Sequence, residues 1–225
     1  MNPSLKTNQT CCPTYIYRSI SEVFLPIPHQ YSSRDFLEVF NSRRSNKSIG
    51  VCDYERLSKL LYMVMRPAMI GTDNSGSAVY KRSFPSAGGR SPVDILICLP
   101  SQNLFRKIYY YDPQRHSINL LDLDKNIVNN FITDVNSTLE LRNSTLVWFA
   151  INIARTSSKY LNPESLYWRD LGALIYCIQI TCTYLDLCSC PIGYLAENTF
   201  VKLFNDSRII SGGGIIVGTD LPQVI

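Results

Sequence analysis

Lys159 and Tyr160 are adjacent in the stretch ARTSSKYLNPESLYWRDLG, directly before a predicted helix start. A lysine amine and a tyrosine phenol can both take part in proton transfer. Both side-chain types have pKa values of about 10 in water, so one acts as a base near neutral pH only after burial or a cationic neighbour lowers its pKa. Successive strand residues point to opposite faces, so the pair can cooperate only in a turn or loop. Taken alone, the stretch fits a solvated lysine beside a packing tyrosine better than a catalytic pair.

A second candidate is the basic turn NSRRSNKS, residues 41–48, which contains Arg43, Arg44, Ser45 and Lys47. Guanidinium groups and hydroxyls at this density suit a phosphate, because a planar guanidinium can make paired charge-assisted hydrogen bonds to phosphate oxygens. The alternative is an ordinary solvated turn.

A third candidate is the stretch RSFPSAGGRSP, which contains Pro85, Ser86, Ala87, Gly88 and Gly89. The proline fixes the entry of the loop, the serine supplies a hydroxyl, and the two glycines allow backbone angles closed to other residues. A flat ligand could therefore lie against the main chain. The pattern is neither the GxGxxG of dinucleotide folds nor a phosphate-binding P-loop, and a flexible surface loop is the alternative.

The elements that must position these residues follow from periodicity and from turn signals. Residues 1–30 predict an irregular N-terminal arm, and residues 31–225 predict one domain. The first part of that domain predicts a short helix capped by Ser32 or Ser33, a helix from Asp53 and a loop over 71–92. The middle part predicts a strand at 93–100, a hairpin turning at Asp112-Pro113, a helix over 125–137 and a strand from 144. The last part predicts a long helix from Asn162-Pro163-Glu164 to Leu187, a helix over 197–204 and a last strand at 213–219. This order favours an α+β fold over a doubly wound parallel sheet.

The composition narrows the class of protein. A chain of 225 residues with a net charge of +4 and scattered basic residues does not predict a nucleic-acid surface. None of the eight cysteines is in a CxxC pair and only two histidines are present, so no metal site is predicted. The apolar stretch from Leu171 to Leu187 contains too many polar residues for a membrane span. Without a secretory signal, these cysteines indicate a reducing cytoplasm.

The three candidates occur in a specific order. RRS is followed by PSAGG, a hydrophobic strand, YYYDPQRHSINLLD and then YWRDLGALIYCIQITCTYLDLCSCPIGYL. This order resembles the flavin-dependent nitroreductase superfamily and, within it, the SagB-type dehydrogenases, which oxidise azolines to azoles in peptide natural products. The resemblance covers the chain from about Phe36 to Gly218. It implies a nitroreductase-like α+β fold, with an antiparallel or mixed central sheet flanked by helices, in a homodimer.

The resemblance also implies FMN as cofactor and a role for each candidate. Residues that would contact FMN are Arg43, Arg44, Ser45 and Lys47 at its phosphate, Pro85, Ser86, Ala87, Gly88 and Gly89 along the flavin and ribityl chain, and Ile192 and Gly193 near the flavin. The lysine-tyrosine pair before the long helix would deprotonate the azoline ring. We expect Tyr160 to be the direct base and Lys159 its electrostatic support, with the reverse assignment open.

Two departures separate this chain from the resemblance. Lys47 stands where relatives commonly have an arginine, and lysine does not replace the planar arginine fork. The usual GLG after the long helix is replaced by LDLCSCPIG, which brings two additional thiols beside the expected flavin.

The expected function is FMN-dependent oxidation of a thiazoline or oxazoline in a peptide supplied by a cyclodehydratase, with oxygen reoxidising the flavin. Two alternatives remain open at this stage. One is an NAD(P)H-dependent nitro or quinone reductase of the same fold, which needs no lysine-tyrosine pair. The other is a flavin-free scaffold subunit of a peptide-modifying synthetase complex.

Overall fold

The computed structural model describes residues 1–12, 15–100 and 106–221. Its strands are β1 Ser4–Leu5, β2 Ser19–Phe24, β3 Met69–Thr72, β4 Ala78–Lys81, β5 Val93–Leu99, β6 Lys107–Asp112, β7 Ser117–Leu121, β8 Thr145–Asn152, β9 Tyr160–Leu161, β10 Cys188–Ile192 and β11 Ile209–Gly218. Its helices are α1 Phe36–Ser42, α2 Tyr54–Met65, α3 Lys125–Thr138, α4 Ile153–Ser157, α5 Glu164–Tyr184 and α6 Glu197–Phe204. The predicted α+β class is confirmed.

The central sheet has seven strands in the order β10-β11-β8-β5-β6-β7-β2. Every neighbouring pair is antiparallel, so the sheet is not of mixed direction. Two small antiparallel pairs, β1 with β9 and β3 with β4, lie outside it. The β1–β9 pair carries Tyr160, and the β3–β4 hairpin precedes the PSAGG segment.

Both faces of the sheet are covered, which explains why β5 and β8 are buried along almost their whole length and are mostly apolar in sequence. Ile95 and Phe149 belong to the core cluster that includes residues of α2 and α5. Their neighbours Leu96 and Trp148 belong to the cluster that includes residues of α3 and α6. Successive side chains on a strand point to opposite faces, so one strand serves both cores. The rigid three-layer arrangement fixes α5 against the sheet.

The N-terminal part of the chain differs from its prediction. Residues 19–24 form β2, which pairs with β7 at one edge of the sheet, and residues 4–5 pair with β9. The predicted irregular arm is therefore partly regular structure, because backbone pairing here needs no apolar period in the sequence. Residues 13–14 of the arm, and residues 222–225 of the predicted domain, lie outside the described residues.

Several element boundaries also differ from prediction. Asp35, and not Ser32 or Ser33, caps α1 by accepting a hydrogen bond from the Glu38 amide. The expected 71–92 loop contains most of the β3–β4 hairpin. Asn162 lies in the left-handed region, with φ of 50°, so it is the turn residue before α5 and does not cap that helix.

Candidate functional site

The Lys159–Tyr160 pair lies where α4 passes into β9. The Lys159 amide donates to the Thr156 carbonyl, so Lys159 closes a turn, and Tyr160 begins β9 opposite Leu5. The Lys159 carbonyl accepts from the Lys6 amide, which fixes the turn from the other side. Because Lys159 lies in a turn and not within a strand, the side chains of Lys159 and Tyr160 need not point in opposite directions.

Both side chains of the pair converge on Gly88. A Cβ added to Gly88 would lie 2.7 Å from the Tyr160 hydroxyl and 3.0 Å from Lys159 Nζ. Gly88 also has a φ of 60°, which a residue with a side chain rarely adopts. The Lys159 amine lies 5.9 Å from the centre of the Tyr160 ring. The glycine that would face a flat ligand therefore adjoins the two candidate proton-transfer groups.

Asp170 of α5 holds the segment that carries Gly88. Its carboxylate accepts a hydrogen bond of 2.7 Å from the Ser86 hydroxyl and one of 3.0 Å from the Ala87 amide. The Ser86 oxygen accepts in turn from the Ser91 amide at 2.8 Å. Burial raises the pKa of Asp170 above its ordinary value, while the bonds from Ser86 and Ala87 act in the opposite direction. The loop is thereby fastened to the long helix.

Asp73, in the turn between β3 and β4, is a residue that the sequence analysis missed. One carboxylate oxygen accepts from the Ser75 hydroxyl and from the Ser77 amide. The other lies 2.6 Å from Arg90 Nη2 and 4.0 Å from Lys159 Nζ. Asp73 therefore contacts the lysine of the candidate pair. Nothing in the stretch GTDNSG beyond an ordinary turn signal indicates this role.

The basic turn after α1 is held more loosely. The Arg44 guanidinium donates to the carbonyls of Asn41 and Arg43, both in its own turn. Ser45 forms a backbone bridge with Ser189 of β10, and its hydroxyl accepts from Gln179 of α5 at 3.3 Å. The backbone of the turn is thus anchored, while the Arg44 side chain extends into solvent.

Ile192 and Gly193 lie at the end of β10, on the strand that anchors the basic turn through Ser189. Ile192 is buried and Gly193 is exposed. Lys47 and Pro85 are also exposed. The structure therefore groups the basic turn with the β10 end, and it groups the PSAGG segment with Lys159 and Tyr160.

The long helix α5 separates these two groups. Asp170 binds the PSAGG segment and Gln179 binds the basic turn, nine residues further along the helix. Nine helical residues correspond to about 13.5 Å along the axis and about 180° around it. The two groups of one chain therefore attach to opposite faces of α5.

Comparison with solved structures places this architecture among nitroreductases. A protein assigned as a nitroreductase from Ralstonia eutropha JMP134 has a TM-score of 0.68 and 17% identity, over 95% of this chain and 99% of that chain. A chain of the E. coli microcin synthetase McbBCD complex, with truncated pro-MccB17 bound, has a TM-score of 0.62 and 16% identity, over 88% and 78%. A nitroreductase from Desulfovibrio desulfuricans in complex with FMN has a TM-score of 0.54 and 12% identity, over 84% and 88%.

The chain has the nitroreductase fold, as predicted from its motifs. No family model matches the sequence, and no curated protein matches it. Among the described residues, no helix is long and apolar enough to cross a membrane. The same part of the chain contains no cluster of three or more His, Cys, Asp or Glu suited to a metal ion.

Proposed function

We propose that this chain is an FMN-dependent dehydrogenase that oxidises a thiazoline or oxazoline in a peptide to the corresponding azole. The observation that carries the proposal is the convergence of Lys159 Nζ and the Tyr160 hydroxyl on Gly88 of the predicted flavin loop. An ordinary nitroreductase needs no such pair, whereas azoline oxidation needs a base next to the hydride acceptor.

The reaction removes one proton and one hydride from neighbouring ring atoms. In our assignment the Tyr160 phenolate takes the proton and becomes the phenol, and the Lys159 ammonium stabilises the phenolate before that transfer. The 4.0 Å contact between Lys159 Nζ and Asp73 favours this division, because it places Lys159 in an ion pair, and an ammonium has no lone pair with which to accept a proton. FMN, when bound, accepts the hydride, and oxygen is the proposed final electron acceptor.

The residues of the chain fit an FMN group in two ways. Gly88 presents main chain without a side chain, in a segment that Asp170 holds in place. Arg44 extends into solvent beside Arg43 and Lys47, so their positive charges can meet a phosphate without breaking a salt bridge among the described residues. Ile192 and Gly193, which the resemblance implies near the flavin, follow on β10 from Ser189, the residue that bridges to the basic turn.

The arrangement of these parts around α5 supports a proposed homodimer. Because the PSAGG segment and the basic turn attach to opposite faces of the helix, one FMN would take its phosphate contacts from one chain and its flavin contacts from a second copy. Phe36, Leu37 and Phe40 of α1, directly before the basic turn, expose large apolar surfaces. A second copy covering them would bury this surface.

The proposed partners are a peptide substrate and a cyclodehydratase. Support comes from the microcin synthetase McbBCD complex, since a chain of the same fold is there part of a multi-subunit synthetase with truncated pro-MccB17 bound. The cytoplasm is the proposed location, on the basis of the cysteine pattern.

The test begins with an absorbance spectrum of the purified full chain with and without added FMN. A thiazoline-bearing peptide is then incubated aerobically with the FMN-loaded protein, and mass spectrometry follows the loss of two hydrogens. We expect Lys159→Ala and Tyr160→Phe to reduce azole formation by at least about 100-fold with FMN still bound. Full turnover by both variants would remove the basis of the proposal.

The alternatives give different results in the same preparation. Rapid anaerobic bleaching of bound flavin by NADPH, without oxidation of the peptide, favours a nitro or quinone reductase. Support for this alternative comes from solved structures of the same fold whose proteins are assigned as nitroreductases. A colourless protein that stays colourless after FMN is added favours a scaffold subunit.

A further inference from the structure

A cavity of about 380 Å³ lies between residues 12, 15–17 and 19 of the N-terminal part, strand β4 and the β6–β7 hairpin. It is distinct from the residues predicted to bind FMN or act as base, none of which lines it. Its charged lining residues are Arg82, Arg90, Arg155, Asp94 and Asp112, and its aromatic ones are Tyr15, Tyr17, Tyr80 and Tyr110. A volume of this size suits a small molecule.

One of the three arginines is fully matched within the protein. Arg155 makes two parallel bonds to Asp94, at 2.7 and 2.9 Å, and Tyr17 donates a further bond to the same carboxylate. Paired geometry of this kind satisfies both charges. The Arg155–Asp94 pair therefore lines the cavity with its charges already matched, and it leaves few free hydrogen-bonding groups for a ligand.

Arg82 has no such partner. Within the described ranges it makes no salt bridge; its guanidinium lies over the Tyr80 ring at 5.1 Å and contacts the Met65 sulfur at 3.9 Å. Its buried Nε has no acceptor among those residues. Burial lowers the pKa of Arg82, which means that its positive charge is poorly solvated.

Arg90 is the most deeply buried cation of the cavity wall. Its side chain is 1% exposed, and one nitrogen, Nη2, binds Asp73 at 2.6 Å. Its Nε and Nη1 atoms are buried and have no hydrogen-bond acceptor in the described part of the chain. Buried donors are almost always paired. Arg90 thus brings to the cavity wall two donors that the described protein groups leave unused.

The remaining acid, Asp112, does not supply that acceptor. It lies in the β6–β7 turn, where its Oδ1 accepts from the amides of Gln114 and Arg115 at 2.8 and 3.2 Å. The aromatic wall is also ordered, since Tyr17 and Tyr110 stack with ring centres 4.5 Å apart. The cavity thus combines flat apolar surfaces with two guanidinium groups that have unused donors.

We propose that this cavity binds the oxyanion of a small, flat ligand, a carboxylate or a phosphate, through Arg82 and Arg90. Arg90 links the cavity to the candidate pair, because Asp73 contacts both Arg90 and Lys159. A ligand bound in this cavity could therefore affect Lys159 through Arg90 and Asp73, without occupying the PSAGG segment. The proposal does not depend on azoline chemistry.

Calorimetric titration of the full chain tests the proposal, with inorganic phosphate and benzoate as separate probes. We expect saturable binding of at least one probe and an increase in its Kd of about tenfold or more in Arg82→Gln, the effect of losing a charge-assisted bond. Arg82→Lys keeps the charge without the planar fork and should give an intermediate Kd. Circular dichroism melting confirms that each variant is folded.

Two control variants assign the binding site. Arg44→Gln alters the predicted FMN phosphate turn, and Arg142→Gln alters an exposed arginine paired with Glu140. With that turn saturated by excess FMN, neither should change the Kd of the probe. Binding that Arg44→Gln weakens and Arg82→Gln leaves intact would overturn the proposal, because the flavin-phosphate turn would then be the site. The absence of saturable binding by either probe would overturn it as well.

Discussion

The Lys159–Tyr160 pair and the Arg43–Lys47 turn are both candidate parts of one site, but the protein holds them very differently. Around the pair, Asp73 contacts the lysine, Gly88 leaves room for both side-chain ends, and Asp170 fastens the loop. In the turn, the bonds of the Arg44 guanidinium within the described ranges go to the carbonyls of Asn41 and Arg43.

This difference is what proton transfer and phosphate binding require. A base has to be within hydrogen-bond reach of the proton it takes, so its position must be set before substrate arrives. A phosphate attracts several flexible cations at once and can order them as it binds. The comparison therefore predicts that changes around Gly88 affect turnover, whereas changes in the turn affect cofactor affinity.

Gly88→Ala should produce the largest effect. The added Cβ would lie 2.7 Å from the Tyr160 hydroxyl and 3.0 Å from Lys159 Nζ, at a backbone φ of 60°. Displacing reacting groups by about 1 Å can lower a rate by about 100-fold. We expect kcat/KM for azoline oxidation to fall at least that far, as measured by formation of the azole.

Gly76→Ala is the matched control for Gly88→Ala. Gly76 has a φ of 77°, yet an added Cβ there would meet no atom within 4 Å. Both variants carry backbone strain, and only one crowds the pair. Equal losses of turnover in the two variants would show that strain, and not the convergence on Gly88, sets the rate.

Asp170→Asn should produce the next largest effect. The asparagine amide cannot accept the Ser86 hydroxyl and Ala87 amide bonds as the carboxylate does, so the loop loses part of its attachment to α5. We expect turnover to fall on the order of 30-fold, since one to two charge-assisted bonds are lost. Stopped-flow reduction of the bound flavin by a thiazoline-bearing peptide measures this step.

Asp186→Asn is the control for Asp170→Asn. Asp186 is exposed, follows the same helix and pairs with Arg34. Its substitution removes a carboxylate of equal charge without touching the PSAGG segment. A loss of turnover in Asp186→Asn as large as that in Asp170→Asn would place the effect in overall charge and would contradict the anchoring role.

Much of this architecture is predictable from the sequence, since the signals are local. The apolar runs of β5 and β8, the Asp112-Pro113 turn and the Asp53 cap each specify an element within a few residues. The strand β2 carries no comparable signal. Its six residues are all exposed, so pairing with β7, and not burial of one face, determines its conformation.

The residues of the candidate site can be proposed from the sequence, but the groups that hold them in place cannot. Lys159, Tyr160 and Gly88 are readable because their motifs are contiguous or nearly so. Asp73 and Arg90 are not, because their contact with each other and with Lys159 joins segments that are distant in sequence. Asp170 lies within the predicted long helix, but its partners Ser86 and Ala87 follow only from the packing of α5 against the loop.

Arg44→Gln should have the smallest effect on turnover, and it tests the second half of the comparison directly. Because its guanidinium bonds to the local backbone in the described part of the chain, the melting temperature without ligand should stay nearly unchanged, while the Kd for FMN rises about tenfold at low salt. The difference between wild type and variant should shrink at high ionic strength, where exposed charges are screened. Fluorescence quenching of FMN measures both Kd values, with Arg142→Gln as the exposed-arginine control. An unchanged Kd would show that Arg44 makes no contact with the FMN phosphate. The Lys159–Tyr160 pair would then still be fixed by its neighbours, but the claim that a bound phosphate orders the basic turn would fail.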